Sequence, residues 1–342
     1  MIFFIFALLL IPFGGTATQG AADGMRLFAE CLLPSLFPFL VCSKAIMMSG
    51  KAREFLLSGK RFRFFPIWLI AAACGTPSAA LIANDAVTCG MSKREASFLC
   101  AAANTANPGF VIYALANSML GEGRAAALLA VSHYVPSLCA VLILGSILNK
   151  RPENHHLTER CFSLPKASLI QAISEAAEVM LRIGGTVVFF GVVFSLLDKL
   201  GVFMAFPKSC GAFIKGIIEM TNGLSLLSAE RTRLSLCLCS FLLSFGGLCI
   251  FAQSKLVFPE LEAAMYLIVK LLHGSVSFIL TWILYPFFGT SYAVFGSLDS
   301  SAAFSGSGTA HTAILFCFAA SAAVSISVVS VFSRLIKKGG GR

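Results

Sequence analysis

Four short groups in this sequence combine hydrogen-bonding side chains with residues that break helices. They are Gly75-Thr76-Pro77-Ser78, Asn104-Thr105-Ala106-Asn107-Pro108-Gly109, Asn222-Gly223 with Ser225 close behind, and Ser244-Phe245-Gly246-Gly247 with Gln253 a turn and a half further on. Each interrupts an apolar stretch. A helix broken there leaves backbone N–H and C=O groups without intrahelical partners, and the N-terminus exposed after the break carries partial positive charge. Such ends bind anions, and the Thr, Ser, Asn and Gln side chains add neutral donors and acceptors. The chemistry is recognition of a small solute. The expected binding residues are Gly75, Thr76, Pro77, Ser78, Asn104, Asn107, Pro108, Gly109, Asn222, Gly223, Ser225, Gly246, Gly247 and Gln253.

His133 and His273 are candidates for carrying a proton, because imidazole titrates near neutrality. Asp85, beside Asn84, is a third candidate for proton or ion coupling, since a carboxylate is costly inside a membrane. A plainer reading stands beside each. Single Ser, Thr or Gly residues in membrane helices commonly serve close packing. Lone prolines kink helices, a buried histidine is more often hydrogen-bonded structure, and Glu30 and Glu178 suit the polar starts of amphipathic helices.

Covalent chemistry has little support. No nucleophile elbow, phosphate-binding loop or H-E-x-x-H motif is present, and nothing in the spacing of Ser78 and His133 recommends a hydrolase pair. The chain is expected not to be an enzyme and to need no cofactor. The 12 cysteines fall mostly inside apolar runs, and Cys237-Leu-Cys239 has no accompanying C-x-x-C or His/Cys cluster. They are expected to act as small apolar residues, with no metal site.

The elements that position these groups must be membrane helices. Of 342 residues 57% are hydrophobic and 12% charged, with a mean hydropathy of +0.86. A soluble domain is about a quarter charged. Long Ala/Leu/Phe-rich runs recur along the chain, and alternating ten-residue strands do not, which excludes a β-barrel. The net charge of +10 reads as cytoplasmic loops, and no basic stripe interleaved with aromatics suggests nucleic acid.

The expected organisation is a first transmembrane helix within 1–24, a first repeat over 25–148, a cytoplasmic linker at 149–166, a second repeat over 167–288, and a Gly/Ser loop, last transmembrane helix and basic tail over 289–342. Thr16-Ala17-Thr18 resembles a cleavage site, but no Lys or Arg precedes the first apolar run, so that helix is expected to be retained. The halves echo each other. Glu30 and Glu178 lie 148 residues apart, as do Gly75 and Gly223. With about eight spanning helices and two re-entrant hairpins, each repeat crosses an odd number of times, so the repeats are inverted. That topology puts 16 of the 26 basic residues inside and 7 outside, with Lys44, Arg182 and Lys270 within segments. Inverted repeats with broken helices are the architecture of secondary transporters.

Leu33-Pro-Ser-Leu-Phe-Pro-Phe-Leu40, Gly75-Thr-Pro-Ser-Ala79, Ala106-Asn-Pro-Gly-Phe110 and Ser132-His133-Tyr134 resemble the YlbJ-type sporulation integral membrane proteins. Leu181-Arg-Ile-Gly-Gly-Thr186, Glu219-Met-Thr-Asn-Gly223, Ser244-Phe-Gly-Gly-Leu248 with Gln253, and Leu272-His273-Gly274 fit the same pattern. The resemblance covers roughly residues 22 to 290. It implies an all-α polytopic membrane protein of the nucleoside-recognition, or Gate, group, built of two inverted Gate-type repeats. The implied function is transport of a small organic anion, dipicolinate, from the mother cell across the outer forespore membrane. A nucleoside carrier and a non-transporting scaffold for spore envelope assembly are the alternatives. The expected partners are an anionic small molecule and the lipid bilayer, with homo-oligomerisation left open. Ala79 stands where family members often show glycine.

Overall fold

The computed structural model describes residues 10–47, 64–76, 78–88, 91–148, 169–204 and 206–288, and among these every regular element is helical. α1 (Gly14–Arg26) runs through a π-helical turn (Leu27–Leu32) into α2 (Leu33–Met47) without a break. The helix that opens at Gly14 thus continues through residues 24 and 25. The physical reason is that the few polar residues between Thr16 and Asp23 are tolerated in a helix, and no proline stands between Pro12 and Pro34. Pro34 has no N–H to give the ladder, and the wider turn just ahead of it takes up the mismatch. Residues 1–9, the 149–166 linker and the last expected span lie outside the described residues.

α1 packs antiparallel along α7 (Leu169–Lys199). Gly20 meets Gly191, Gly24 meets Val188, and the Phe28 ring lies on Gly184. A Cβ on Gly20 would sit 2.7 Å from the Gly191 carbonyl oxygen, so the helices meet backbone to backbone. Lys44 pairs with Glu175 at 3.3 Å further along the same contact.

The remaining elements alternate long helices with short arms. α3 (Phe64–Cys74) and α4 (Ser78–Thr88) flank Gly75. α5 (Lys93–Ala103) leads through Asn104–Asn107 to a π-helical segment (Phe110–Met119). α6 (Arg124–Leu148) closes the first half. After α7 come α8 (Lys208–Ile218), α9 (Met220–Ser228), α10 (Arg233–Phe245), α11 (Gly247–Val257) and α12 (Ala263–Leu284), which ends in a 3-10 turn (Tyr285–Phe287). An 11-residue arm rises about 16 Å, half of a ~30 Å hydrocarbon core, so α3, α4, α8 and α9 cannot span singly.

Five helices among the described residues are long and apolar enough to cross a membrane: Gly14–Cys42, Arg124–Ile143, Leu169–Lys199, Arg233–Val257 and Ala263–Phe287. The chain is a polytopic helical membrane protein. Leu181, Phe189, Ile279 and Trp282 face outward, as lipid contact requires. Charges cluster near helix ends: Lys93 pairs with Glu260 at 2.7 Å, and the Arg233 guanidinium lies 4.1 Å from the centre of the Trp282 ring. Ser92 with Glu95, and Thr232 with Ser235, form capping boxes that start α5 and α10.

The third interruption differs from the sequence expectation. The chain reverses at Glu219 (φ −132°, ψ 110°), and Asn222 and Gly223 already lie in the first turn of α9. α8 and α9 fold back on each other because Gly216 and Gly223 touch. A Cβ on Gly223 would sit 2.2 Å from the Gly216 Cα.

Candidate functional site

The four interruptions converge. Gly75, at φ 70°, packs on Asn107, with a Cβ there only 3.1 Å from the Asn107 Cβ. Gly246 turns α10 into α11 at φ 86°, a conformation glycine adopts without strain, and Gly247 then lies against the Met220 amide at the third interruption. Together they border a cavity of about 80 Å³. That is roughly five times the room one water needs. Gly75, Thr76, Asn104, Asn107, Thr186, Glu219, Thr221, Gly246, Gln253 and Lys270 belong to its polar lining, and Leu32, Leu36, Phe110, Ile183 and Val187 to its apolar lining.

Broken backbone inside a membrane persists only where protein or water satisfies its polar groups. At the Asn104–Asn107 interruption the partners are identifiable. The Ser137 hydroxyl donates to the Ala102 carbonyl at 2.6 Å, and the Tyr134 hydroxyl to the Ala106 carbonyl at 2.8 Å. The Ala106 N–H donates to His133 Nε2 at 3.1 Å. Asn107 Oδ1 accepts from the Phe110 N–H at 2.8 Å and caps the turn that follows. One face of α6, carrying His133, Tyr134 and Ser137, thus holds the interruption from one side.

The second half holds it from the other. Lys270 Nζ donates to the Asn104 carbonyl at 2.8 Å. Asn104 Nδ2 lies 2.6 Å from the Tyr266 hydroxyl and 3.2 Å from Ser254 Oγ. Asn104 Oδ1 has no partner. Both hydroxyls can donate as well as accept, so turning the amide over satisfies the oxygen and puts the NH2 in its place.

His133 and His273 meet face to face, with ring centres 5.2 Å apart and planes 19° from parallel. His133 Nε2 accepts from Ala106, so Nδ1 carries the hydrogen and donates to Ser244 Oγ at 2.8 Å. His273 Nε2 donates to the His133 carbonyl at 2.8 Å, and its Nδ1 is buried without a partner.

Glu219 is buried, and it caps α9. Its carboxylate accepts from the Thr221 N–H at 3.0 Å, the Asn222 N–H at 2.8 Å and the Asn222 side-chain amide at 2.8 Å. Three donors fix the carboxylate in place at the start of α9. The start of α11 has no side-chain cap, and Gly246 at that end borders the cavity.

Of the binding residues expected from the sequence, Gly75, Thr76, Asn104, Asn107, Gly246 and Gln253 line the cavity. The others stand behind it. The Ser78 hydroxyl donates to the Gly75 carbonyl, Asn222 orients Glu219, and Gly223 and Gly247 serve close approaches. Gly109 packs on Ser35 and Phe39 of α2, and Pro108 stands beside it. Ser225 lies within α9, and its carbonyl accepts from Ser228. Pro77 and the Asp85 side chain lie outside the described residues. No cluster of metal-ligating side chains occurs among the described residues. Sequence reasoning missed Lys270 and Glu219 as lining residues, and Tyr134, Ser137 and Tyr266 as braces. The available signal was a lone lysine three residues before His273 in an apolar helix, the i, i+1, i+4 spacing of His133, Tyr134 and Ser137, and a Glu three residues ahead of Asn222 at a helix start.

The chain is similar over 337 residues to the sporulation integral membrane protein YlbJ of Bacillus subtilis strain 168, at 24% identity, covering 83% of this chain and 82% of that protein. The match supports the YlbJ-type assignment read from the motifs. No family model matches the chain, and no solved structure matches it.

Proposed function

We propose that this sporulation-associated membrane protein is a carrier of a small organic anion, bound in the cavity where the four interruptions meet. The observation that carries this reading is the shared origin of the lining: Gly75, Asn104 and Asn107 come from the first half, Glu219, Gly246, Gln253 and Lys270 from the second. A site between two halves, with broken helices presenting their ends to it, is what alternating access needs. The order of elements supports inverted Gate-type repeats. In each half a long helix is followed by an interrupted pair, a second interruption and a long helix bearing the histidine. The antiparallel run of α1 on α7 is what inversion of the first helix of each half produces.

The substrate follows from the YlbJ-type resemblance and is dipicolinate, moved across the outer forespore membrane. An aromatic dicarboxylate suits a cavity with one ammonium, an uncapped helix start and several amides. Purified protein in liposomes is expected to take up labelled dipicolinate in preference to labelled nucleosides. Asn107→Ala should lower that uptake, and spores carrying it should hold less dipicolinate at unchanged membrane abundance. Vesicles that move neither label would leave the scaffold reading in its place.

A further inference from the structure

Lys270 is 1% exposed, lines the cavity and stands in the middle of α12. A lysine at membrane depth is costly and marks a functional group with a partner. Among the described residues no carboxylate pairs with it. Its hydrogen-bond partner there is the Asn104 carbonyl, at the C-terminus of α5, where the negative end of the helix dipole favours a cation. Glu219, the cavity's carboxylate, is held by three N–H groups at the start of α9. The cavity therefore holds one ammonium that has donors to spare and no paired carboxylate among the described residues, and the uncapped start of α11 at Gly246 borders the same cavity.

We infer that Lys270 is the carboxylate-binding residue of this cavity, and that it selects solutes bearing a carboxylate over neutral ones of the same shape. In the empty site the ammonium rests on the Asn104 carbonyl. An arriving carboxylate accepts from the remaining Nζ–H donors, with the first amides of α11, after Gly246, as its second support. No bond is made or broken, and the charge of the solute is met by a cation fixed to the protein. The inference rests on the anion-carrier reading and extends it to a specificity-determining residue.

The test is uptake into liposomes of labelled pyridine-2,6-dicarboxylate, competed with pyridine-2-carboxylate and with its neutral amide. Wild-type protein is expected to prefer the carboxylate over the amide by about tenfold or more, the worth of a charge-assisted hydrogen bond. Lys270→Met should abolish that preference, and Lys270→Arg should keep part of it. Thermal unfolding in detergent supplies a second readout: the dicarboxylate should stabilise the wild-type protein and leave Lys270→Gln unmoved. Wild-type uptake with the preference unchanged in Lys270→Met overturns the assignment of Lys270 alone. Wild-type vesicles that move none of the compounds overturn the carrier reading, and this subsite falls with it.

Discussion

The ammonium of Lys270 stands 2.8 Å from the carbonyl oxygen of Asn104, and through that contact α12 terminates α5. The last carbonyls of a helix need a donor, and in lipid water is not there to supply one. A residue 166 positions away in the sequence supplies it. The interruption starts locally, because Pro108 has no N–H to give the Asn104 carbonyl, and the packing of the two halves supplies the missing donor.

Asn104 should therefore be a stability residue as well as a lining residue. Asn104→Ala removes the amide shared by Tyr266 and Ser254 and leaves two buried hydroxyls to find other partners. The expected loss is about 1–3 kcal/mol. It should appear as a lower unfolding temperature in detergent, together with reduced solute uptake.

Glu219 carries the cap of α9, and its removal frees two backbone N–H groups at once. Glu219→Ala is expected to destabilise by about 2–3 kcal/mol, and Glu219→Gln, which keeps one acceptor oxygen, by about half of that. Equal unfolding temperatures for wild type and Glu219→Ala would show that the cap contributes nothing.

Glycines in this chain should separate sharply by position. Gly223→Ala forces a methyl group into the Gly216 backbone, whereas a methyl on Gly185 meets nothing within 4 Å. The first should cost about 1–3 kcal/mol by overpacking. The second should stay within about 0.5 kcal/mol of wild type. Parallel thermal melts of the two variants make the comparison.

The two histidines should also behave unequally. His133 is bonded through both ring nitrogens, to Ala106 and to Ser244, while His273 uses only Nε2. His133→Leu leaves a buried backbone N–H without its acceptor and should lower stability more than His273→Leu. Melting curves that rank them in the opposite order would refute the bracing assigned to His133.

The interruptions themselves were legible in the sequence. Gly75, Asn104–Asn107 and Gly246 pair glycine or proline with small polar residues inside apolar stretches, and the chain breaks there. The third interruption lies three residues ahead of where Asn222-Gly223 placed it, at Glu219. Asn-Gly is a strong local turn signal, but a carboxylate that caps from outside moves the reversal upstream and leaves Asn222 helical. The start of α1 was not legible either, because Thr, Gln and Asp suggest a loop until Gly20 and Gly24 are seen against α7. Lys270 escaped because composition cannot say which way one lysine in an apolar helix points. Its role emerges only when α12 is laid beside α5.

The contact of Gly216 with Gly223 also bears on how α8 and α9 can move. Two arms that touch main chain to main chain leave no seam between them that a side-chain rotation can open. α8 and α9 are therefore riveted together at that point, and a displacement of one arm carries the other with it.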